Sequence, residues 1–307
     1  MPLQIEVVDY HVAGESLRII TGLRDIAGKT MAEKARHALT DLRAERALAT
    51  QEPRGHADMF AAFLTPPVTQ GAAFGVLICD GMLDSSYKGT CGHGSIALAA
   101  AALEQGWVRA PAGMVRITLD LPAGPVALDV DWDGTRAGAV IYTHVPSHVD
   151  QAGLTLAGVT GDLVQAGPKV FLVDADAAGI SADAAAAFAA YRRIQAAGDP
   201  PDLVQFRWGG WEALRSFTFF GAMGFDRSPC GTASSALAAF AVGHGAVAKG
   251  EWFANTTLIG SAFHARLAEN GLPQIRAQAY LAGKASLILQ DCDPLRCGVA
   301  APLLIGA

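Results

Sequence analysis

Two cysteines, Cys91 and Cys230, begin two segments of nearly the same sequence. The first segment reads CGHGSIALAA and the second reads CGTASSALAA, with their cysteines 139 residues apart. Cysteine, glycine, serine, leucine and three alanines recur at the same offsets in both segments. Alanine and leucine have high helix propensity, so each segment predicts a helix that begins at or just after its cysteine.

A cysteine at the start of a helix can take part in proton transfer. The helix N-terminus carries about half a positive charge and unpaired N–H groups, which lower a thiol pKa toward neutrality and can hold a carboxylate. Two such helix starts facing each other would place one sulfur on each side of the carbon next to that carboxylate. One thiolate could remove the α-proton while the opposite thiol protonates the other face. This chemistry inverts the carbon and needs no cofactor, because donated hydrogen bonds stabilise the enolate-like intermediate.

The remaining cysteines and the small residues have structural interpretations. Free cysteines are commonly inert buried residues, and alanine and glycine allow helices to pack closely, which explains the alanines but not the matched cysteines. Cys292 and Cys297 form a C-x4-C pair without two further clustered ligands, so we expect structural thiols in a packed tail and no metal site.

The elements around the two cysteines follow the same order twice. In both parts, strands and a helix precede a strand, a loop, the cysteine, its helix and further strands. This order predicts an internal duplication of α+β class. We expect a first half at residues 1–134, a second half at 135–289, and a C-terminal tail, about 290–307, that packs back on the first half.

Composition excludes several classes of protein. The chain of 307 residues is 51% hydrophobic and 17% charged, which is typical of a folded protein with a large core. A net charge of −6 without a basic stripe predicts binding to neither nucleic acid nor an anionic membrane. Five scattered cysteines are no disulfide framework and favour the reducing cytoplasm. The N-terminus does not resemble a signal peptide, and no apolar run of about 18 residues predicts a membrane span.

Several motifs resemble the proline racemase family. They are CGHGSIA (91–97), DRSPCGT (226–232), EPRGHADM (52–59), VPS (145–147) and GSAFHARL (260–267). The family includes proline racemase, 4-hydroxyproline 2-epimerase and trans-3-hydroxy-L-proline dehydratase. The resemblance implies two pseudo-symmetric α/β halves of the diaminopimelate epimerase-like fold, each with strands wrapped around a central helix.

The resemblance also implies roles for single residues. Cys91 and Cys230 match the two acid/base positions. The residues that match the carboxylate-holding positions at the two helix starts are Gly92, His93, Gly231 and Thr232. Asp226 matches the partner of the substrate's ring nitrogen, His93 also matches a residue near that nitrogen, and Phe220 matches an apolar wall. By spacing alone, His93 could equally be an exposed helix residue and Asp226 an ordinary loop aspartate.

The sequence departs from the family pattern near the pocket rim. Thr90 stands where an apolar residue usually precedes the first cysteine, and CGTAS (230–234) replaces the usual CGTGT. These departures concern substrate identity and leave the two thiols in place.

The second acid/base position separates the activities within the family. Dehydratases typically have threonine there, whereas Cys230 favours racemisation or epimerisation. Polar loops at 84–90 and 221–228 leave room for a ring hydroxyl and favour a 4-hydroxyproline 2-epimerase that converts trans-4-hydroxy-L-proline to cis-4-hydroxy-D-proline. The alternatives are proline racemase, trans-3-hydroxy-L-proline dehydratase and a non-catalytic carboxylate-binding protein. The expected partner is a small-molecule substrate, no metal or other cofactor is expected, and a homodimer is left open.

Overall fold

The computed structural model describes residues 2–56, 58–81, 86–221 and 224–299. Two compact units make up the chain. The first half is Met1–Val12, Ser16–Val140 and Gln278–Ala307, and the second half is Ala13–Glu15 and Ile141–Ala277. The boundaries expected from the sequence, 134 and 289, stand at a turn dipeptide and at the end of the last strand. The corresponding structural boundaries lie after Val140 and before Gln278, inside the strands Ala137–Thr143 and Pro273–Leu289. A continuous strand carries no sequence signal of a division.

The secondary structure consists mainly of strands. The strands are β1 (Leu3–Val12), β2 (Glu15–Leu23), β3 (Ala61–Thr65), β4 (Phe74–Cys79), β5 (Gly113–Leu121), β6 (Gly124–Trp132), β7 (Ala137–Thr143), β8 (His148–Leu156), β9 (Val159–Gln165), β10 (Lys169–Asp174), β11 (Leu203–Trp208), β12 (Arg215–Phe220), β13 (Gly224–Asp226), β14 (Phe253–Thr257), β15 (Ala262–Leu267) and β16 (Pro273–Leu289). The helices are α1 (Met31–Asp41), α2 (Arg43–Thr50), α3 (Gly92–Glu104), α4 (Ala184–Gln195) and α5 (Gly231–Gly243), with a 3-10 turn at Trp211–Ala213.

In the first half, strands surround helix α3. They are hydrogen-bonded in the order β1-β2-β3-β4-β5-β6-β7-β16, and β1 also pairs antiparallel with β16. Helix α3 packs against β1, β5 and β6, and every residue from His93 to Leu103 is buried. A helix that is apolar on all sides is stable only when it is enclosed in this way.

The second half repeats the arrangement around helix α5. Its strands follow the order β16-β15-β14-β12-β11-β10-β9-β8, with β13 paired to β12. Helix α5 packs against β15 and against β8 to β11, and it is buried along almost its whole length. The predicted architecture, two α/β halves with strands around a central helix, is confirmed.

Two local features of the first half are the break between α1 and α2 and the position of the C-terminal tail. Helices α1 and α2 are separated at Leu42, whose φ is −108° and ψ is 16°. The sequence has neither glycine nor proline there to indicate a break. Residues 290–299 belong to the first half, where Asp293 forms an ion pair with Arg54.

Candidate active site

Cys91 is the residue that precedes the first turn of α3. Its backbone is extended, with φ −154° and ψ 111°, and its carbonyl accepts the first helical hydrogen bond, from Ser95 N–H at 2.9 Å. The sulfur lies 3.6 Å from Nδ1 of His93. A Cβ atom on Gly94 would lie 3.1 Å from this sulfur and 2.9 Å from Cδ1 of Ile78. Glycine at this position therefore lets the sulfur lie close against the helix.

His93, the second residue of α3, is buried. Only 5% of it is exposed, and its ring meets the Phe60 ring edge-on with centroids 4.7 Å apart. Burial lowers the pKa of His93 to about 4, and a hydrogen bond with the Ser16 backbone opposes this shift only in part. The alternative that His93 is an exposed helix residue is wrong. Near neutral pH its imidazole is uncharged, with one nitrogen as donor and the other as acceptor.

Cys230 has an unusual backbone conformation. Its φ is +59° and its ψ is 120°, a region that non-glycine residues rarely occupy and that costs about 1–3 kcal/mol. Its N–H donates to Oγ of Ser228 at 3.1 Å. Ser228 in turn donates from its N–H and its hydroxyl to Oδ1 of Asp226, at 2.9 and 2.6 Å. Asp226 therefore takes part in a hydrogen-bonded turn that ends at Cys230 and is not an isolated loop aspartate.

The electrostatics at Cys230 oppose the expected activation of its thiol. Burial raises the pKa of Cys230, and the charge of Asp226 raises it further, whereas the N–H groups of Ala233 and Thr232 lower it. Burial also raises the pKa of Asp226 against hydrogen bonds from Ser228 and the Cys230 thiol. The sequence-based expectation of a lowered thiol pKa at this helix start is wrong for Cys230, because desolvation and the neighbouring carboxyl group outweigh the helix N-terminus.

The other predicted site residues of the second half lie on the elements around Cys230. Gly231 is the first residue of α5, and Oγ1 of Thr232 lies 3.4 Å from Nε2 of His144. Phe220 ends β12 and packs on Gly224, where a Cβ atom would lie 2.6 Å from its ring. The predicted polar loops include residues 84–85 and 222–223, which lie outside the described residues.

The sequence did not identify two polar residues that lie near these positions, Ser228 and His144. Ser228 joins Asp226 to Cys230, and its place two residues after an aspartate is typical of an Asx turn. His144 follows β7 and is 5% exposed, and burial lowers its pKa to about 4. No sequence signal placed His144 beside Thr232, because the contact joins residues far apart in the chain.

Within residues 2–56, 58–81, 86–221 and 224–299, no group of three or more His, Cys, Asp or Glu side chains could hold a metal ion. Cys292 and Cys297 are exposed free thiols, so the expectation that they pack inside the tail is wrong. None of the helices in the described part of the chain is long and apolar enough to cross a membrane.

Known proteins match this chain along nearly its whole length. A sequence model of the proline racemase family matches residues 7–199 and 203–300. The chain is 33% identical over 321 residues to a 4-hydroxyproline epimerase of Burkholderia pseudomallei, across 96% of this chain and 99% of that protein. It is 29% identical over 330 residues to a trans-3-hydroxy-L-proline dehydratase of Burkholderia ambifaria, across 96% of this chain and 97% of that protein.

A solved structure shares the fold. It is a hydroxyproline epimerase from Agrobacterium vitis with bound trans-4-hydroxy-L-proline, at a TM-score of 0.82 and 25% identity over 99% of this chain and 96% of that chain. The fold and these matches define an isomerase of the racemase and epimerase class with a small-molecule substrate. Within that class, the chain belongs to the proline racemase family.

Proposed function

We propose that the protein is a 4-hydroxyproline 2-epimerase that inverts the α-carbon of trans-4-hydroxy-L-proline without a cofactor. The observation that carries this proposal is the matched position of two cysteines, Cys91 and Cys230, each directly before the buried central helix of its half. Support for the hydroxylated substrate comes from the 33% identical 4-hydroxyproline epimerase and from the structural relative with bound trans-4-hydroxy-L-proline.

Inversion needs one sulfur with its proton and one without it at the start of each turnover. The raised pKa of Cys230 favours its thiol form, which makes it the proton donor in one direction, with Cys91 as the base. As Cys91 takes the α-proton, the electron pair of the C–H bond moves into the carboxylate, and Cys230 gives its proton to the opposite face. The reverse direction uses the same two groups with their protonation exchanged.

Substrate orientation is assigned to the neighbours of the two thiols. The N–H groups at the helix starts, from Gly92, His93, Gly231 and Thr232, would hold the substrate carboxylate. The secondary ammonium of a cyclic imino acid would pair with Asp226. That positive charge favours the ionised carboxylate and opposes the effect of burial on Asp226. Phe220 would provide an apolar wall.

A second candidate is the dehydration of trans-3-hydroxy-L-proline, which the 29% identical dehydratase favours. In that reaction one base removes the α-proton and the β-hydroxyl leaves as water, so a second thiol is not required. The family resemblance associates threonine at the second acid/base position with this activity. Cys230→Thr should therefore preserve a dehydratase and abolish inversion by an epimerase.

The test is incubation with proline and the 3- and 4-hydroxyproline isomers in D2O, followed by proton NMR. We expect loss of the α-proton signal of trans-4-hydroxy-L-proline together with formation of cis-4-hydroxy-D-proline. Exchange with no proline derivative would contradict the proposal, and a cyclic imine formed from the 3-hydroxy isomer would support the dehydratase.

Matched cysteine variants test the assignment of the two thiols. Cys91→Ser and Cys230→Ser should each slow inversion by on the order of 10²- to 10⁴-fold, the usual contribution of an acid/base group. Cys292→Ser is the control, because that thiol is exposed in the tail and should leave the rate unchanged. The cytoplasmic location and the homodimer stay predictions.

A further inference from the structure

Polar side chains converge on the carbonyl oxygen of Pro229, the residue before Cys230. Oγ of Ser234 donates to it at 3.0 Å, Nε2 of Gln205 at 3.2 Å and Nδ2 of Asn255 at 3.5 Å. The last contact is the weakest, and Asn255 acts mainly by donating to Oγ of Ser234 at 2.9 Å. We call the side chains of Gln205, Ser234 and Asn255 the Pro229 network.

The Pro229 network is anchored in the core of the second half. All three side chains are fully buried. Ser216 on β12 donates to Oδ1 of Asn255 at 2.7 Å, and Nε2 of Gln205 also donates to Oγ1 of Thr218 at 3.1 Å. The donors of this buried network are paired, and this pairing restricts the rotation of its side chains.

The network controls the peptide group that determines the backbone of Cys230. The oxygen of this peptide is held by the Pro229 network, and its N–H is held by Oγ of Ser228 at 3.1 Å. On the other side, the Cys230 carbonyl is fixed in the first turn of α5 by Ser234 N–H at 2.8 Å. With both flanking peptides fixed, the φ of +59° at Cys230 is imposed on the residue, and so is the direction of its sulfur.

The first half provides an internal comparison. Ser95 stands four residues after Cys91, as Ser234 stands four residues after Cys230. Ser95 is fully buried, yet its hydroxyl has no hydrogen-bond partner among the residues that the structure describes. Cys91 has an ordinary extended backbone. The serine four residues after the cysteine therefore forms a side-chain hydrogen bond in the half whose cysteine has a positive φ and not in the other half.

We propose that Gln205, Asn255 and Ser234 are positioning residues that hold the Pro229–Cys230 peptide and thereby direct the Cys230 thiol. This proposal rests on the proposed function only in taking Cys230 as one of the two acid/base groups. A purely structural network would stabilise the β11, β12 and β14 region without affecting Cys230 more than Cys91.

The test compares Ser234→Ala with Ser95→Ala, since each removes one buried hydroxyl at the same helix position. Ser234→Ala should slow inversion by about tenfold, the effect of losing one buried hydrogen bond, with little change in KM. Exchange of the α-proton in D2O with retention of configuration should rise relative to inversion, because Cys91 still abstracts the proton while Cys230 is displaced. Ser95→Ala should change neither quantity by more than about twofold.

A second readout does not depend on turnover. In site-resolved mass spectrometry with iodoacetamide, the ratio of Cys230 to Cys91 alkylation should rise about threefold or more in Ser234→Ala, because the buried thiol gains freedom. Gln205→Met, which keeps the volume and removes the donor, should act in the same direction if Ser234→Ala proves unstable. An unchanged alkylation ratio in folded Ser234→Ala and Gln205→Met would overturn the proposal. If the wild type fails to exchange any substrate, the proposed function fails, while the alkylation comparison still decides the positioning role.

Discussion

Asp226 and Cys230 are joined through Ser228, which donates to Oδ1 of Asp226 and accepts from the Cys230 N–H, and both residues are buried. The negative charge of Asp226 raises the pKa of the Cys230 thiol and so favours its protonated form. The thiol of Cys91 instead lies beside His93, whose imidazole is uncharged near neutral pH because of its lowered pKa. The two cysteines of the duplication are thus placed in different electrostatic surroundings, and this asymmetry fits a resting enzyme with one thiol ready to donate a proton.

Asp226→Asn tests the effect of Asp226 on the pKa of Cys230. The substitution removes the negative charge that raises the pKa of Cys230, so alkylation of Cys230 at a given pH should become faster. Loss of the partner for the substrate ammonium should lower kcat/KM by about tenfold to a hundredfold, the worth of one charged hydrogen bond. The measurements are alkylation against pH with mass spectrometry, and steady-state kinetics. Asp150→Asn, on the exposed strand β8, is the control, and an unchanged Cys230 alkylation profile in Asp226→Asn would argue against this effect.

Burial of His93 should make the stability depend on pH. The pKa of His93 is lowered to about 4 in the folded chain, from an ordinary value of 6.5. The unfolded chain therefore binds more protons than the folded chain between these two pH values. The contribution of His93 to the free energy of unfolding is complete above pH 6.5 and is lost as the pH decreases toward 4. The loss between about pH 7 and about pH 4.5 should be roughly 2 kcal/mol.

Urea unfolding of wild type and His93→Gln across this range measures the contribution of His93. The variant should lose less stability on acidification than the wild type. His144 is also buried with a pKa lowered to about 4, so part of the dependence should remain. His148→Gln, on exposed β8, is the matched control. Equal slopes for wild type and His93→Gln would contradict the assigned protonation state.

The sequence predicted the repeated framework better than the environment of each repeat. The helices after Cys91 and Cys230 were predictable because alanine, leucine and the preceding glycine act locally. Strands β8 and β9 were missed, since β8 is largely exposed and lacks the sustained alternation of a half-buried strand. The raised pKa of Cys230 could not be predicted either, because desolvation depends on everything packed around the residue and not on its helix alone. The Pro229 network likewise joins residues from two strands and a helix that are far apart in sequence.

Gly94→Ala should separate activity from stability at Cys91. The new methyl group would lie 3.1 Å from the Cys91 sulfur and 2.9 Å from Cδ1 of Ile78, so the sulfur must move. Inversion should fall by about tenfold or more, because acid/base catalysis depends on position. Helix propensity favours alanine over glycine by about 1 kcal/mol and offsets the crowding, so the free energy of unfolding should change by less than about 1 kcal/mol.

Gly243→Ala is the control for this substitution. Gly243 ends α5, and a Cβ atom there would meet nothing within 4 Å, so the variant should keep wild-type activity. Thermal unfolding and the NMR exchange rate measure the two effects. Full activity in Gly94→Ala would contradict the inference that activity depends on the present position of the Cys91 sulfur.

A planar ligand should protect both thiols if they act on the same carbon. Pyrrole-2-carboxylate has a flat carbon next to its carboxylate and resembles the intermediate in which the α-proton has been removed. It should bind more tightly than proline, because an enzyme is complementary to the transition state. Bound at one site, it should slow iodoacetamide alkylation of Cys91 and of Cys230 with the same concentration dependence. Cys297, exposed in the tail, should react at its usual rate throughout. Protection of only one of the two cysteines would refute a shared α-carbon, whereas protection of both at a single affinity would be difficult to explain for two independent structural thiols.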